Sequence, residues 1–281
     1  MLIVADRPDL KRALASREAV ALVPTMGNLH DGHLRLVELA RRRGACVVVS
    51  IFVNPLQFGP SEDLATYPRT LAEDCAKLER AGAEVVFAPS EAVLYPRPQS
   101  VFVEPPPIAG DLCGAVRPGH FRGVATVVLK LLHMVGPRFA VFGKKDYQQL
   151  FIVRTMVEQL DVPVEIVAGE TVRAADGLAL SSRNGYLGPE ERRRAPRLYR
   201  VLRECAQALA AGGRCADVEQ AGRAQLESDG WRVDYVAVRS QATLLPPARD
   251  DTALVVLGAA WLGRTRLIDN VEVLIGEDSR L

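Results

Sequence analysis

The sequence lacks the features that would place the protein in a membrane, outside the cell or on a nucleic acid. Its 281 residues contain no apolar run of membrane-spanning length. The segment from Met1 to Arg7 shows no basic stretch followed by the long apolar region of a signal peptide. The net charge is only +1, so no electrostatic attraction to nucleic acid or to an anionic membrane is expected. These absences predict a cytoplasmic protein that binds neither a membrane nor nucleic acid.

Cysteine and histidine are too few and too scattered for a disulfide framework or an evident metal site. The five cysteines are widely spaced and include no C-x-x-C pair, which is typical of reduced, buried thiols in a cytosolic protein. A zinc site takes at least three protein ligands. Of the four histidines, only His30 and His33 are close in sequence, and no cysteine lies near them. The sequence therefore predicts no metal held by protein ligands alone.

Three common active-site fingerprints are also missing. The chain contains no G-x-x-x-x-G-K-[ST] or G-x-G-x-x-G element, so P-loop and dinucleotide-binding sites lose support. It contains no G-x-S-x-G element, which speaks against a nucleophile elbow.

What the chain does show is a regular alternation of strand and helix patterns up to about residue 171. Strands are predicted at 19–23, 46–53, 84–88, 139–142 and 162–167, with Val101–Val103 as a further candidate. Helices are predicted at 34–43, 70–81, 124–134 and 147–160. Such alternation indicates an α/β fold with a doubly wound parallel sheet, in which ligands bind outside the carboxyl ends of the strands.

The pattern changes after residue 171. Helices are predicted at 189–211 and 216–228, and strands at 233–238, 253–258 and 266–275. We therefore expect two domains: residues 1–171 with the parallel sheet, and residues 172–281 as a second, smaller α+β domain.

The most informative segment is Pro24–His33, where a strand leads into a helix. It holds His30, His33 and two glycines. A helix N-terminus has unpaired backbone N–H groups and a positive dipole end, which favour phosphate, and glycine lets the backbone approach a ligand closely. The segment predicts a phosphate site, and the alternative is an ordinary helix start with incidental polar residues.

A second strand-to-helix turn, Gly143–Gln149, carries a lysine pair. Lysine is a point charge suited to phosphate, and Asp146 can cap the helix, bind ribose hydroxyls or bind Mg²⁺. Gln149 lies about one turn into the helix and is expected to face the same crevice as Asp146. Capping alone explains Asp146 but not the lysines.

Four further segments have both a functional and a structural interpretation. Leu180–Asn184 could clamp an anion between the domains or form a serine-rich turn. Gln57 could orient a hydroxyl or carboxylate, although taken alone it fits an ordinary turn. The basic loop Arg117–Gly123 could be a lid or a solvated loop. Glu73 and Asp74 could help hold Mg²⁺, but a solvated helix face is favoured.

The motifs taken together resemble a known family. The H-x-G-H element is similar to the signature of the nucleotidyltransferases that include class I aminoacyl-tRNA synthetases. The ordered set PTMGNLHDGH, FVNPLQF, YPRT, RPGHFRGVATVV, FGKKDYQQL and LSSRNGYL is more specific, and it resembles the pantothenate synthetase family from about residue 19 onward.

This resemblance implies the ATP-dependent condensation of pantoate with β-alanine through a pantoyl adenylate. It implies a Rossmann-like first domain, a smaller second domain acting as a lid, a homodimer, and Mg²⁺ with the ATP. Pantoate contacts fall on Gln57 and Gln149, with β-alanine later near Gln57. His33 matches the catalytic histidine of the family, and His30, Lys145 and Arg183 are expected to act with it in catalysis by stabilising charge on the phosphates. The ATP contacts fall on Met26, Gly27, Asn28, Leu29, His30, Asp31, Gly32, His33, Gly143, Lys144, Lys145, Asp146, Val172, Leu180, Ser181, Ser182 and Arg183.

Three rival functions are weaker. A nucleotidyltransferase acting on a phosphorylated cofactor precursor fits FVNPLQF and KDYQQL poorly. A fragment of an aminoacyl-tRNA synthetase would need a basic nucleic-acid surface, which the near-neutral charge does not indicate. A silent nucleotide-binding regulator would not need the full set of His30, His33, Lys145 and Arg183.

Overall fold

The computed structural model describes residues 1–60 and 62–276. Its contacts divide the chain into two compact units. The first comprises Met1–Lys144 and Gln148–Glu170, and the second comprises Lys145–Tyr147 with the chain from Thr171 onward. The predicted second domain extends to residue 281, and its segment 277–281 lies outside the described residues.

The first unit is built on a six-stranded sheet. The strands are β1 (Leu2–Val4), β2 (Val20–Thr25), β3 (Cys46–Ile51), β4 (Val85–Phe87), β5 (Phe139–Gly143) and β6 (Glu165–Gly169). They lie in the order β1-β4-β3-β2-β5-β6, and every neighbouring pair is parallel. The doubly wound parallel sheet predicted from the alternation is confirmed.

Helices cover both faces of this sheet because its central strands are apolar on both sides. They are α1 (Arg7–Leu14), α2 (Asp31–Arg41), α3 (Leu71–Ala81), α4 (Glu91–Leu94), α5 (Cys113–Val116), α6 (His120–Val135) and α7 (Tyr147–Gln159). Val20 and Leu22 of β2 pack in one core with residues of α1, α6 and α7. Ala21 and Val23 pack in a second core with residues of α2 and α3. Alternate side chains of one strand thus serve two cores.

Two helix ends show why these residues form these elements. Helix α2 begins at Asp31, earlier than predicted, because the side chain of His30 caps it. Helix α3 matches its prediction, and Gly82 ends it in the left-handed conformation at φ 79°.

The candidate strand Val101–Val103 is wrong. The segment joins neither sheet. The backbone N–H of Val103 donates instead to Thr126 Oγ1 at 3.1 Å. The Thr126 side chain thus accepts the backbone N–H that a strand would donate to its neighbour in a sheet.

The second unit packs helices against an antiparallel sheet, as the α+β prediction requires. The sheet has the order β7 (Arg232–Ser240), β8 (Ala253–Leu262), β9 (Thr265–Leu274). The helix predicted at 189–211 is two helices, α8 (Pro189–Arg194) and α9 (Arg197–Ala210), because Pro196 has no N–H to continue the ladder. Helix α10 (Cys215–Ser228) follows. Leu202, Leu226 and Leu254 are fully buried in the core of this unit.

Candidate functional site

The segments after β2 and β5 begin where the sheet of the first unit changes winding direction. From β2 the chain passes through α2 to β3, and from β5 it passes through α7 to β6 on the other side. Ligands bind at such a switch point, outside the carboxyl ends of the strands. Met26–His33 follows β2, while Gly143 and Lys144 stand at the end of β5. The fold therefore brings these predicted segments to one edge of the sheet.

His30 and His33 cap the start of α2 together. His30 is the N-cap residue, and its Nδ1 accepts the backbone N–H of Gly32 at 3.1 Å. The Nδ1 of His33 accepts the backbone N–H of His30 at 3.3 Å. The two ring centroids are 4.1 Å apart. A reciprocal arrangement of this kind satisfies donors that a helix start otherwise leaves unpaired.

This capping fixes the tautomer of both rings. A backbone N–H can only donate, so each Nδ1 is an acceptor and carries no proton. A neutral ring then carries its proton on Nε2, which gives each histidine one N–H donor. The two donors and the positive end of the α2 dipole suit an anion.

The loop before His30 adopts left-handed backbone conformations. Gly27 has φ 82° and Asn28 has φ 49°. A Cβ on Gly27 would lie 3.1 Å from Asp74 Oδ2 and 3.2 Å from Ile51 Cγ2, besides being strained at this φ. Glycine at position 27 is thus required by both the conformation and the close approach.

Asp74, near the start of α3, holds this loop in place. Its Oδ2 accepts the N–H of Asn28 and its Oδ1 that of Leu29, both at 2.8 Å. Thr70 Oγ1 donates to the same carboxylate at 3.1 Å, and Asp74 is fully buried. One helix turn later, Lys77 Nζ donates to the carbonyl of Leu29 at 2.7 Å. Helix α3 thus binds both polar groups of the Leu29 backbone.

The interpretation of Asp74 as part of a solvated helix face is wrong, although it holds for the exposed Glu73. Both oxygens of Asp74 accept backbone hydrogen bonds instead. No local signal reveals this, because the partners of Asp74 lie 45 and 46 residues earlier in the chain. Only the packing of α3 beside α2 brings them together.

Gln57 lies in a 3₁₀ turn (Pro55–Gln57) after β3 and is buried. Its Nε2 lies 3.2 Å from Met26 Sδ, and its Oε1 accepts Asn54 Nδ2 at 3.1 Å. Asn54 in turn accepts the hydroxyl of Tyr95 at 2.7 Å. Gln57 thus lies in the turn that its sequence indicates, and the structure also brings it against Met26, one of the predicted ATP contacts.

The basic loop predicted to be either a lid or a solvated segment is tied to the Gln57 turn. His120 is buried, and its Nδ1 lies 2.8 Å from the carbonyl oxygen of Gln57. Arg117 Nη1 lies 3.0 Å from His120 Nε2. Because arginine can only donate, Nε2 is the acceptor and Nδ1–H donates to the carbonyl. The solvated interpretation is therefore wrong for these two residues.

Arg117 also forms a bidentate ion pair with Glu62. Its Nε donates to Oε1 at 3.0 Å, and its Nη2 donates to Oε2. Burial raises the pKa of the Glu62 carboxyl, but the hydrogen bond and charge of Arg117 outweigh it and leave that pKa below its ordinary value. The carboxylate form of Glu62 is thus the one that the fold selects.

The first unit also contains Gln149, Gly143 and Lys144. Gln149 is half-buried, whereas its neighbour Gln148 is buried and hydrogen-bonded to the backbone of Ile108, Asp111 and Cys113. Gln148 therefore has a structural role. Lys144 Nζ forms an ion pair with Glu170 at 2.7 Å.

In the second unit, Lys145 and Asp146 belong to a 3₁₀ turn (Lys144–Asp146). The Lys145 side chain is mostly buried, and its Nζ lies 3.9 Å from Asp146 Oδ2. Asn270 Nδ2 donates to the Lys145 carbonyl at 3.0 Å. No local pattern in the sequence indicates that a residue of β9 contacts this turn.

A short hairpin of the second unit brings together predicted ATP contacts that are distant in sequence. The N–H of Leu180 donates to the carbonyl of Val172 at 2.9 Å. The Oγ of Ser181 accepts the N–H of Arg183 at 3.3 Å and begins a 3₁₀ turn (Ser182–Tyr186). Val172 and the Leu180–Arg183 segment are therefore neighbours within this unit.

Two absences hold for the part of the chain that the structure describes. In residues 1–60 and 62–276, no three histidine, cysteine, aspartate or glutamate side chains are grouped so that they could hold a metal ion. Within the same ranges, no helix is long and apolar enough to cross a membrane.

The chain is similar to pantothenate synthetases over nearly its whole length. The family model described as "Pantoate-beta-alanine ligase" matches residues 3–272. Pantothenate synthetase from Methylobacillus flagellatus is 58% identical over 271 residues, covering 96% of this chain and 98% of the relative. The crystal structure of pantothenate synthetase from Thermus thermophilus has a TM-score of 0.93 at 48% identity, covering 98% and 100% of the two chains. Pantoate-beta-alanine ligase from Francisella tularensis, complexed with "Beta-gamma ATP and Beta-alanine", has a TM-score of 0.82 at 33% identity, covering 96% and 97%.

Proposed function

The chain belongs to the pantoate-beta-alanine ligase family and is an enzyme of that kind, and on this premise we propose that it joins pantoate to β-alanine in two steps driven by ATP. The observation that carries the proposal is the start of α2, where His30 and His33 both turn Nδ1 to the backbone. Two Nε2–H donors at a helix N-terminus suit a phosphate that gains negative charge during a reaction. The Francisella tularensis relative, complexed with an ATP compound and β-alanine, supports the choice of substrates.

The first step makes the pantoate carboxylate reactive. A carboxylate does not condense with an amine at neutral pH, because oxide is a poor leaving group. In the proposed step a carboxylate oxygen forms a bond to the α-phosphorus of ATP. The bond from that phosphorus to the bridging oxygen breaks, and pyrophosphate leaves with the electron pair. The product is pantoyl adenylate.

The second step forms the amide. The amine of β-alanine attacks the acyl carbon, the carbon–oxygen bond to AMP breaks, and the nitrogen loses a proton to solvent. An acyl adenylate hydrolyses in contact with water, so exclusion of water is part of the chemistry. We assign the role of a lid to residues 172–281 on this ground.

Each predicted residue receives a role by its chemistry. His30 and His33 stabilise charge on the phosphates through their Nε2–H groups. Lys145 and Arg183 add positive charge near the phosphates. Lys145 supplies a compact ammonium, and Arg183 supplies a planar guanidinium that can donate two parallel hydrogen bonds. Gln57 and Gln149 hold pantoate by their amide groups, and the proximity of Gln57 to Met26 supports a pantoate position next to an ATP contact.

Mg²⁺ is proposed to enter with the triphosphate. The grouping of side chains in residues 1–60 and 62–276 offers no cluster that fits a metal held by the protein alone. Magnesium is commonly held by substrate phosphates and waters with few protein ligands. When bound it neutralises phosphate charge, and we assign it no protein ligand. A homodimer and a cytoplasmic location complete the proposal on the family resemblance alone.

Pyrophosphate release tests the proposal. The protein is mixed with ATP and Mg²⁺, with and without pantoate, before β-alanine is added. We expect release that requires pantoate and not β-alanine, followed by pantothenate formation once β-alanine is present. Release independent of pantoate would overturn the substrate assignment, and release that requires β-alanine would overturn the order of the steps.

A further inference from the structure

Lys145–Tyr147, the lysine turn of the second unit, is anchored at two points by strand β9. Asn270 Nδ2 donates to the Lys145 carbonyl at 3.0 Å, and the Tyr147 hydroxyl donates to Glu272 Oε1 at 2.9 Å. Asn270 and Glu272 are two residues apart in β9, so both side chains leave the same face of that strand. The alternate residues Val271 and Val273 pack against the core instead. One face of β9 thus holds the first and third residues of Lys145–Tyr147.

Asn270 is itself held by a buried ion pair. Its backbone N–H donates to Asp269 Oδ1 at 2.8 Å. Asp269 is bound in bidentate fashion by Arg173, whose Nη1 and Nη2 lie 2.6 and 2.8 Å from the two carboxylate oxygens. The guanidinium also stacks on Tyr199, 3.5 Å from the ring centroid. Bidentate geometry adds orientation as well as energy.

The Arg173–Asp269 ion pair also holds the hairpin that leads to Leu180–Arg183, a predicted ATP-binding segment. Arg173 follows Val172 and pairs with Ala179 across the hairpin that leads to Leu180–Arg183. Its Nη1 also donates to the carbonyl of Gly177 at 3.1 Å. The network of Arg173, Asp269 and Asn270 therefore joins the lysine turn to the hairpin.

We propose that Asn270 is a positioning residue for the adenylation step, which it serves by fixing the backbone of Lys145. The proposal rests on the role given to Lys145 under the proposed function. A 3₁₀ turn has few backbone hydrogen bonds of its own. The lysine ammonium is carried by a flexible side chain of four carbons, so its position depends on a fixed backbone. Without the side-chain amide of Asn270, the Lys145 backbone loses its hydrogen bond to β9.

Two variants remove the hydrogen bond in different ways. Asn270→Ala deletes the amide, and Asn270→Asp keeps the size but cannot donate to a carbonyl. We expect both to lower kcat for pantoate-dependent pyrophosphate release by roughly tenfold or more, since small misplacements of a reacting group cost up to about 100-fold. The KM for pantoate should stay unchanged, because the pantoate contacts are elsewhere.

Gln241→Ala is the matched control. Gln241 directly follows β7, and its Nε2 donates to the carbonyl of Leu254 in β8 at 2.7 Å, which is the same kind of bond without a link to the turn. We expect this variant to lose thermal stability but keep its kcat. An equal fall in kcat for Gln241→Ala and Asn270→Ala would overturn the proposal, since stability alone would then explain it.

A double mutant separates positioning from a general structural effect. In a Lys145→Ala background, Asn270→Ala should lower kcat no further, because its effect passes through Lys145. A full additional loss would overturn the proposal. So would wild-type kcat in the folded Asn270 variants or in Lys145→Ala. Pyrophosphate release by the wild-type protein separates these failures from a failure of the proposed function. If that release depends on pantoate, the proposed function stands even when the role of Asn270 does not. If the wild-type protein shows no pantoate-dependent release, the proposed function itself is overturned.

If both Asn270 variants fail to fold, Tyr147→Phe tests whether β9 positions Lys145. It removes only an exposed hydroxyl from the second anchor point. A lowered kcat with unchanged thermal stability supports the positioning of Lys145 by β9, and an unchanged kcat overturns it.

Discussion

The Nδ1 of His33 accepts the backbone N–H of His30 at 3.3 Å, so the second histidine caps the residue that itself caps helix α2. His33 has a structural role through Nδ1, which completes the helix start. The proposed function gives its Nε2–H a second role, the stabilisation of charge on the phosphates. The two functions can be separated by substitution.

His33→Ala should lower kcat by about 100- to 1,000-fold, the usual cost of losing one preorganised donor. It should also lower the free energy of unfolding by roughly 0.5–2 kcal/mol, because the cap is lost. The KM for pantoate should change much less than kcat. Steady-state kinetics and urea unfolding measure the three quantities.

His33→Asn is the control for the cap, since its Oδ1 can replace Nδ1 as the acceptor but no group replaces Nε2–H. We expect stability close to wild type with kcat still low. Wild-type kcat in either variant would remove His33 from the mechanism.

Gln57→Ala should chiefly weaken pantoate binding. A hydrogen bond to a charged group is worth about 1.5–3 kcal/mol, so the KM for pantoate should rise roughly tenfold or more. The KM for ATP should stay near wild type. Gln57→Glu should raise the pantoate KM further, because it places a carboxylate beside the substrate carboxylate. An unchanged pantoate KM together with a large loss of ATP binding would contradict the assignment.

Asp74→Asn should loosen the loop that carries Asn28 and Leu29. An amide has only one acceptor oxygen, so one of the two backbone N–H groups loses its partner, at a cost of about 1–3 kcal/mol. We expect lower stability and a higher KM for ATP. The adjacent exposed Glu73 gives the control, and Glu73→Gln should change neither quantity. Equal effects in the two variants would refute the role of Asp74 in holding the loop.

The Glu62–Arg117 pair should make stability depend on acid pH. The pKa of Glu62 lies below its ordinary value of 4.5 in the folded protein, so its stabilising effect is complete above that value and is lost as the pH falls through the folded pKa. Glu62→Gln should be less stable than wild type near neutral pH, by on the order of 1 kcal/mol. The difference should shrink in buffers below pH 4.5.

Glu165→Gln is the matched variant for this pH series, because the Arg43–Glu165 pair is far more exposed. Exposed pairs contribute little, so its stability should follow wild type at every pH. Urea unfolding at several pH values gives the comparison. A deficit of Glu62→Gln that does not vary with pH would show that the ion pair is not its cause.

Much of the fold could be predicted because its signals are local. The continuous apolar strands and the glycine after α3 are properties of short segments, and both predictions are confirmed. The prediction of one helix over 189–211 and of a strand at Val101–Val103 was wrong. In the first case Pro196 removes a backbone donor, and in the second the hydroxyl of Thr126 accepts one.

The sequence by itself determined the parallel sheet, the family and the residue types at the start of α2, because periodicity and contiguous motifs carry that information. Only the tertiary structure decided what holds these residues in place. Asp74 reaches back to Leu29, His120 to Gln57, and Asn270 to Lys145, across 45, 63 and 125 positions respectively. Hydrogen bonds between segments so far apart depend on how helices and strands pack, and no local pattern encodes them.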